Sequence, residues 1–333
     1  MTFFPLRSLR DIQFSHAKTL RTQRQTGRNN MKNCILIIVA VLVFAGIAIA
    51  QKPKPATVAS PAPTLDDRVQ AALNGFEGKA WIYAKNLDTG KEYSFRADEP
   101  TRTASTIKLA VMAEAFRQVA QGKLKWDDEI ILSKEKKVGG SGVLSELSDN
   151  TKIDLKSAVN LMAVVSDNTG TNLVIDKVGV DNVNDLMDSL GLVGIKSMRK
   201  IGGGGDSKAG LDSQNKLFGI GRSTQREMAK LIEMMENGTL VSKEASAEMI
   251  AILKRQQFKD GIGRGLPDTI PSASKSGSLD RLRSDVGIIY TRRGRIAMAI
   301  TIDDMRVVAY DEDNPGLLMI WKLSQILQDG LGK

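Results

Sequence analysis

The order of the structural signals constrains this chain more than any single motif does: strand-like segments stand near both ends, with a long helical stretch between them. Trp81-Ile82-Tyr83-Ala84-Lys85-Asn86-Leu87 and Lys91-Glu92-Tyr93-Ser94-Phe95 read as two strands around an Asp88-Thr89-Gly90 turn. Strand signals return late, in Val286–Tyr290 and Ile296–Ile302, which flank Arg292-Arg293-Gly294-Arg295 as a hairpin. From Ser105 to Ala120 the apolar residues fall at Ile107, Val111, Ala115 and Val119, a spacing of four that predicts a helix with one buried face. Further helices are expected at 154–165, 169–178, 181–190, 224–236 and 243–256, with Leu65–Leu73 opening the folded part and Leu317–Leu327 closing it. Strands so far apart share a sheet only if the two ends of the chain meet. The fold class is therefore α+β: one antiparallel sheet closed by the termini, flanked by helices, with an all-helical subdomain inserted in the middle and a cleft where the two join.

The amino-terminal part carries different signals. Residues 34–50, CILIIVAVLVFAGIAIA, are uncharged and apolar, follow Lys32, and end in the small-x-small pattern Ala48-Ile49-Ala50. This reads as a signal peptide cut after Ala50, with Met31 as the true start and residues 1–30 as an over-extended start or basic tail. The competing reading is an uncleaved membrane anchor, since the run is near the lower limit for a span. Arg7, Arg10, Lys18, Arg21, Arg24, Arg28 and Lys32 against Asp11 supply most of the formal net charge of +9, so the exported part is only mildly basic and no nucleic-acid partner is expected. Residues 51–64 are a Pro/Ala-rich linker, and 65–333 form the catalytic domain.

Cleavage would also remove His16 and Cys34, the only histidine and cysteine of the chain. A Ser-His-Asp triad, a Cys-His pair and an ordinary zinc site are then unavailable, and no metal or organic cofactor is expected. What remains is a set of three short motifs: Ser105-Thr106-Ile107-Lys108, Ser166-Asp167-Asn168 and Lys275-Ser276-Gly277-Ser278. S-x-x-K alone says little, because it also begins at Ser15, Ser133, Ser197, Ser213 and Ser272. Only Ser105 starts a long amphipathic helix, where the helix N-terminus favours a developing anion and Lys108 lies one turn on, within reach of the hydroxyl. Taken alone, Ser105 reads equally as a helix cap. Ser148-Asp149-Asn150 reads as a turn, whereas Ser166-Asp167-Asn168 is a polar triplet between two apolar helices, either a buried cap or a site. In the third motif, Gly277 would let a substrate backbone lie against the strand and Lys275 would supply positive charge facing the nucleophile; the bland alternative is an edge-strand lysine beside a glycine bulge. The tract Gly202–Gly205 is not a phosphate loop, because no G-K-[ST] follows it.

From about Ala80 to Leu327 the chain resembles the class A β-lactamase-like serine hydrolases of the penicillin-recognising superfamily, which carry these three motifs in this order. Gly140-Ser141-Gly142-Val143-Leu144, Ser223-Thr224-Gln225-Arg226-Glu227-Met228-Ala229 and the segment from Glu248 to Gln256 are similar to family segments in family order. The resemblance implies a five-stranded sheet and a monomer. It implies Ser105 as nucleophile toward a β-lactam or a D-Ala-D-Ala peptide, Lys108 as its base, and Ser166 as proton donor to the departing nitrogen. Asn168 would hold the substrate's side-chain amide, the backbone amides of Ser105 and Ser278 would form the oxyanion hole, and Lys275, Ser276 and Arg283 would grip the substrate carboxylate. The family's Glu-x-x-Leu-Asn segment is missing: the expected acid falls near Ala209, and Asp206 or Asp212 are the possible deacylation bases. The resemblance thus implies an exported, periplasmic or extracellular β-lactam hydrolase, with a D-Ala-D-Ala carboxypeptidase or a tethered penicillin sensor as alternatives.

Overall fold

The computed structural model describes residues 62–332. The apolar run at 34–50, its cleavage point, the Met31 start and most of the Pro/Ala-rich linker lie outside the described residues. Among the described residues no helix is long and apolar enough to cross a membrane.

Helix α1 (Leu65–Leu73) starts at a capping box in which the Thr64 hydroxyl accepts from the Asp67 amide and the Asp67 carboxylate accepts from the Thr64 amide. Strands β1 (Lys79–Asn86) and β2 (Glu92–Phe95) form the expected hairpin, and the two-residue β3 (Thr101–Arg102) follows. Helix α2 (Lys108–Ala120) leads into β4 (Glu129–Leu132), β5 (Thr151–Asp154), α3 (Leu155–Val164), α4 (Asn168–Val178) and α5 (Val180–Ser189). Next come β6 (Lys196–Ser197), the single turn α6 (Lys208–Leu211), β7 (Gly221–Ser223), α7 (Gln225–Glu236) and α8 (Lys243–Lys254). Strands β8 (Ser272–Leu279), β9 (Leu282–Thr291) and β10 (Gly294–Asp303) and helix α9 (Pro315–Leu331) complete the chain.

The main sheet is antiparallel and five-stranded, in the order β2-β1-β10-β9-β8. The first strands of the chain thus pair directly with the last, Ile82 opposite Ile300, as the separated strand signals require. Alternation along β10 explains how the sheet is covered on both faces. Ile296, Met298, Ile300 and Ile302 point into a core shared with α1 and α9, while Ala297 and Ala299 face a second core built with α2, α7 and α8. Small residues on that second face let helices lie close to the strands.

Two expectations change in detail. Helix α2 is buried on nearly every side from Lys108 to Phe116, not on one face, because it passes between the sheet-covering helices α7 and α8 and the inserted helices α3, α4 and α5. Its start also differs: Ala104–Ile107 form a 3₁₀ turn, and α-helical geometry begins only at Lys108. The short strands β3, β6 and β7, a three-stranded sheet of their own, carry too little periodicity to be seen in the sequence.

Ile300, fully buried between β1 and β9, tests the terminal closure. Ile300→Ala should lower unfolding free energy by about 2–5 kcal/mol, read as a lower urea midpoint. Ile131→Ala, on the exposed side of β4, should change it by no more than about 0.5 kcal/mol.

Candidate active site

The turn carrying Ser105 is wedged between two strands. The Thr103 amide donates to the Gly221 carbonyl of β7 at 3.0 Å, and the Thr106 hydroxyl donates to the Thr103 carbonyl at 2.8 Å. Ala104 takes a left-handed conformation (φ 48°) that turns the chain into the 3₁₀ segment. Ser105 itself is half-buried and makes no capping hydrogen bond, so the reading of it as a helix cap fails. Gly277 has a different reason from the expected one. A β-carbon there would stand 2.8 Å from the Thr103 carbonyl oxygen and 3.1 Å from the Ser105 nitrogen. The missing side chain makes room for the serine's own turn against β8.

Lys108 and Lys275 converge on Ser166. Lys108 Nζ donates to the Ser166 carbonyl at 2.6 Å, to Ser166 Oγ at 3.1 Å and to Asn168 Oδ1 at 3.0 Å. Lys275 Nζ donates to Ser166 Oγ at 3.0 Å and to the Ser276 carbonyl at 2.8 Å. Both lysines are buried, and among the described residues neither belongs to an ion pair. Burial, then the nearby Lys275 charge, holds the Lys108 amine well below the ordinary lysine range, with Asp167 opposing. Burial lowers Lys275 to about 7, with Asp285 opposing. A neutral amine can accept a proton and a nearby ammonium can hold an anion, so the pair offers both functions within one hydroxyl's width.

Ser166 reaches both lysines because it too is left-handed (φ 56°), which separates it from the helix that follows. The cap of α4 is Asp167, whose Oδ1 accepts from the Gly170 amide at 2.7 Å. Its Oδ2 accepts from the Val143 and Leu144 amides at 2.6 and 2.9 Å, pinning the 139–144 loop to the site. This role of Asp167 was missed in the sequence, although the Gly140-Ser141-Gly142 pattern is its trace. Gly142 has φ 104°, and a β-carbon there would lie 2.2 Å from Asp167 Oδ2. Asn168 donates to the Gly139 carbonyl at 3.0 Å while accepting from Lys108, so its amide bridges the loop to the lysine.

Along β8, Ser276 is half-buried and Ser278 is exposed. The strand is at the edge of the sheet, so its outward backbone groups are free to meet a ligand beside the Ser105 turn. Arg283 does not join the site. It is buried, and its guanidinium donates to the Leu279, Leu282 and Ala309 carbonyls while lying over the Tyr310 ring. These carbonyls use its donors to fasten the 304–314 loop, which corrects the expectation that it grips a carboxylate. Asp206 and Asp212 are exposed, and Asp212 accepts from the Gln214 amide as a turn cap. Neither contacts Ser105, Lys108 or Ser166 among the described residues. Ala209 stands where the acid is expected, its carbonyl accepting from Asn215 Nδ2 at 3.0 Å. Among the described residues no group of three or more His, Cys, Asp or Glu side chains is placed to hold a metal ion.

Comparison with known proteins agrees with this arrangement. The model of the β-lactamase enzyme family matches residues 64–331. The chain is 24% identical over 287 residues to a β-lactamase of Bacillus licheniformis, covering 82% of this chain and 89% of that protein. It is 23% identical over 245 residues to β-lactamase 3 of Bacillus cereus, covering 71% and 73%. Among solved structures, a β-lactamase from Sphaerobacter thermophilus superposes with a TM-score of 0.70 at 30% identity, covering 80% of this chain and 96% of that one. PBP-A superposes with a TM-score of 0.68 at 22% identity, covering 80% and 94%, a likeness of fold. With its five-stranded antiparallel sheet, inserted helices and family match across nearly the whole described region, this chain belongs to the β-lactamase enzyme family of serine hydrolases.

Proposed function

We propose that Ser105 opens the β-lactam ring through an acyl-enzyme, with Lys108 as its base. The observation that carries this reading is the Ser166 hydroxyl held between the amines of Lys108 and Lys275 at 3.1 and 3.0 Å, close to the Ser105 turn. Neutral Lys108 takes the Ser105 proton as Oγ bonds to the lactam carbonyl carbon. The oxyanion is held by the backbone amides of Ser105 and Ser278, a contribution of about 3–4 kcal/mol per donor in comparable sites. The C–N bond then breaks, the nitrogen takes the Ser166 proton, and Lys108 returns its proton to Ser166. Protonated Lys275 and the Ser276 hydroxyl bind the substrate carboxylate, and Asn168 meets the substrate's side-chain amide if it exchanges the Gly139 contact for it. The apolar run at 34–50 with its Ala48-Ile49-Ala50 end supports export to the periplasm or beyond.

Hydrolysis of the acyl-enzyme is the slow step in this reading. Alanine occupies the position of the expected acid, and the nearby aspartates face solvent. The same observation favours a second substrate class, D-Ala-D-Ala peptides, for which the leaving amine departs and the acyl group passes to water or to another amine.

Intact-mass measurement with benzylpenicillin should give one adduct per chain, and Ser105→Ala should give none; an adduct on that variant would remove Ser105 from its role. The wild-type adduct should persist for minutes, and Asp206→Ala and Asp212→Ala should leave its lifetime unchanged because both carboxylates are exposed; a lengthened lifetime in either would identify the water base. The pH dependence has a definite sign. Lys275 carries its proton below about 7 and loses it above, so KM for a carboxylate-bearing β-lactam should rise as pH increases through that value. A KM independent of pH would separate Lys275 from the carboxylate.

A further inference from the structure

Asp285 is the one fully buried carboxylate near the site that the mechanism does not use. It lies on β9, opposite Ser276 of β8, and is 1% exposed. Alternation puts it on the sheet face away from the reaction. Its neighbour Val286 belongs to the core on the α2 side and pairs directly with Lys275, whereas Ile289 belongs to the core under α9. On that far side the 261–263 segment closes over the carboxylate. The Ile262 amide donates to Oδ2 at 2.9 Å, and a β-carbon on Gly261 would lie 2.4 Å from the same oxygen. Ser324 of α9 fixes this segment by donating to the Ile262 carbonyl at 2.9 Å. Oδ1 has no hydrogen-bond partner of regular geometry among the described residues.

A buried ionised carboxylate with an unused oxygen is a liability to the fold, since removing such a charge from water is costly unless a countercharge is near. No ion pair offsets it. Of the charged groups around it, Arg264 on the covering segment is taken by Asp313 and the Glu312 carbonyl, and Asp303 of β10 by Arg102. Asp260 precedes Gly261 in sequence, and Lys108 and Asp167 flank Lys275 on the cleft side. The charge that acts on Asp285 is Lys275, and the charge that acts favourably on Lys275 is Asp285.

The geometry points to Asp285 as a positioning residue for acylation: its carboxylate, behind the sheet, is the countercharge that keeps the Lys275 ammonium protonated and so able to hold a substrate carboxylate. This rests on the reading of Lys275 as the carboxylate-binding cation. Burial raises Asp285 to about 6, against Lys275, the Ile262 amide and the Ser274 hydroxyl, while Lys275 falls to about 7. Near neutral pH the charged pair is thus only just maintained. Each group supports the charge of the other, and by linkage the effect is reciprocal. The folded-state value of Asp285 lies above its ordinary 3.8, so its contribution to stability is full below that value and is lost as pH rises through about 6. At pH above this the carboxylate weakens the fold that keeps it.

The test is Asp285→Asn, which removes the charge and leaves an oxygen for the Ile262 amide. At about pH 5.5, kcat/KM for benzylpenicillin should stay within about threefold of wild type, and at about pH 8 it should be lower by about tenfold, carried by KM, one pKa unit being about tenfold. The methyl ester of the same penicillin, which lacks the carboxylate, should show no such pH-dependent loss. The thermal midpoint at about pH 8 should not fall. A loss equal at every pH, an equal loss for the ester, or no loss would overturn the inference. Should the variant not fold, ¹³C-carboxyl NMR of Asp285 in the wild-type chain and in Lys275→Met decides: the Asp285 midpoint should rise by about one pH unit in Lys275→Met, and an unchanged midpoint overturns the inference. Lys275→Met also separates the two levels. If it leaves KM for benzylpenicillin unchanged, the carboxylate reading of Lys275 fails; if it raises KM while Asp285→Asn changes nothing, only the role of Asp285 fails.

Discussion

The burial of two lysine amines around one serine hydroxyl is the constraint on which the site depends. An ammonium group removed from water is strongly disfavoured unless it is paired, and Lys108 and Lys275 have no ion-pair partner. The protein satisfies them with oxygen dipoles instead: the Ser166 carbonyl and hydroxyl, Asn168 Oδ1 and the Ser276 carbonyl. Dipoles satisfy an amine in either protonation state, which full carboxylates would not. That is why Lys108 can serve as a base near neutral pH while Lys275, a few ångströms away, can still carry charge.

The scaffold holds this cluster by unusual backbone, not by special side chains. Ala104 and Ser166, on opposite walls of the site, are both left-handed without being glycine. Such conformations are unfavourable for L-residues and persist only where the surroundings enforce them. The enforcement is visible. Gly277 and Gly221 let β8 and β7 close on the Ser105 turn, and Asp167 ties the α4 N-terminus to the 139–144 loop. The rigid part is anchored in a sheet whose first and last strands are hydrogen-bonded to each other, so the site's position is set by closure of the whole chain.

Much of this was legible in the sequence where a local rule operates. The alternation in Ile296–Ile302 and the four-residue spacing in the segment from Ser105 marked real elements, because side-chain periodicity follows directly from backbone geometry. The boundaries near the site were less legible. The helix was expected from Ser105, yet its first turn is 3₁₀, because β7 and β8 close on that turn through contacts with residues more than a hundred positions away. Arg283 shows the same limit from another direction. Its place one residue from Ser284 on β9 suggested a ligand-binding cation, but the partners that take its donors include Ala309, on a loop whose path no local pattern encodes.

By itself, the sequence determined the chemistry available to the protein: serine and lysine in three motifs, no histidine or cysteine beyond residue 34, and an acid missing near Ala209. It also determined the fold class, since separated strand signals around a helical middle allow few sheets. The tertiary structure alone decided the electrical state of that chemistry. Whether Lys108 is a base, Lys275 a cation and Asp285 a charge depends on burial and on distances across strands and helices. These energies arise from how completely water is excluded and from which dipoles replace it, quantities that exist only once distant segments are packed together.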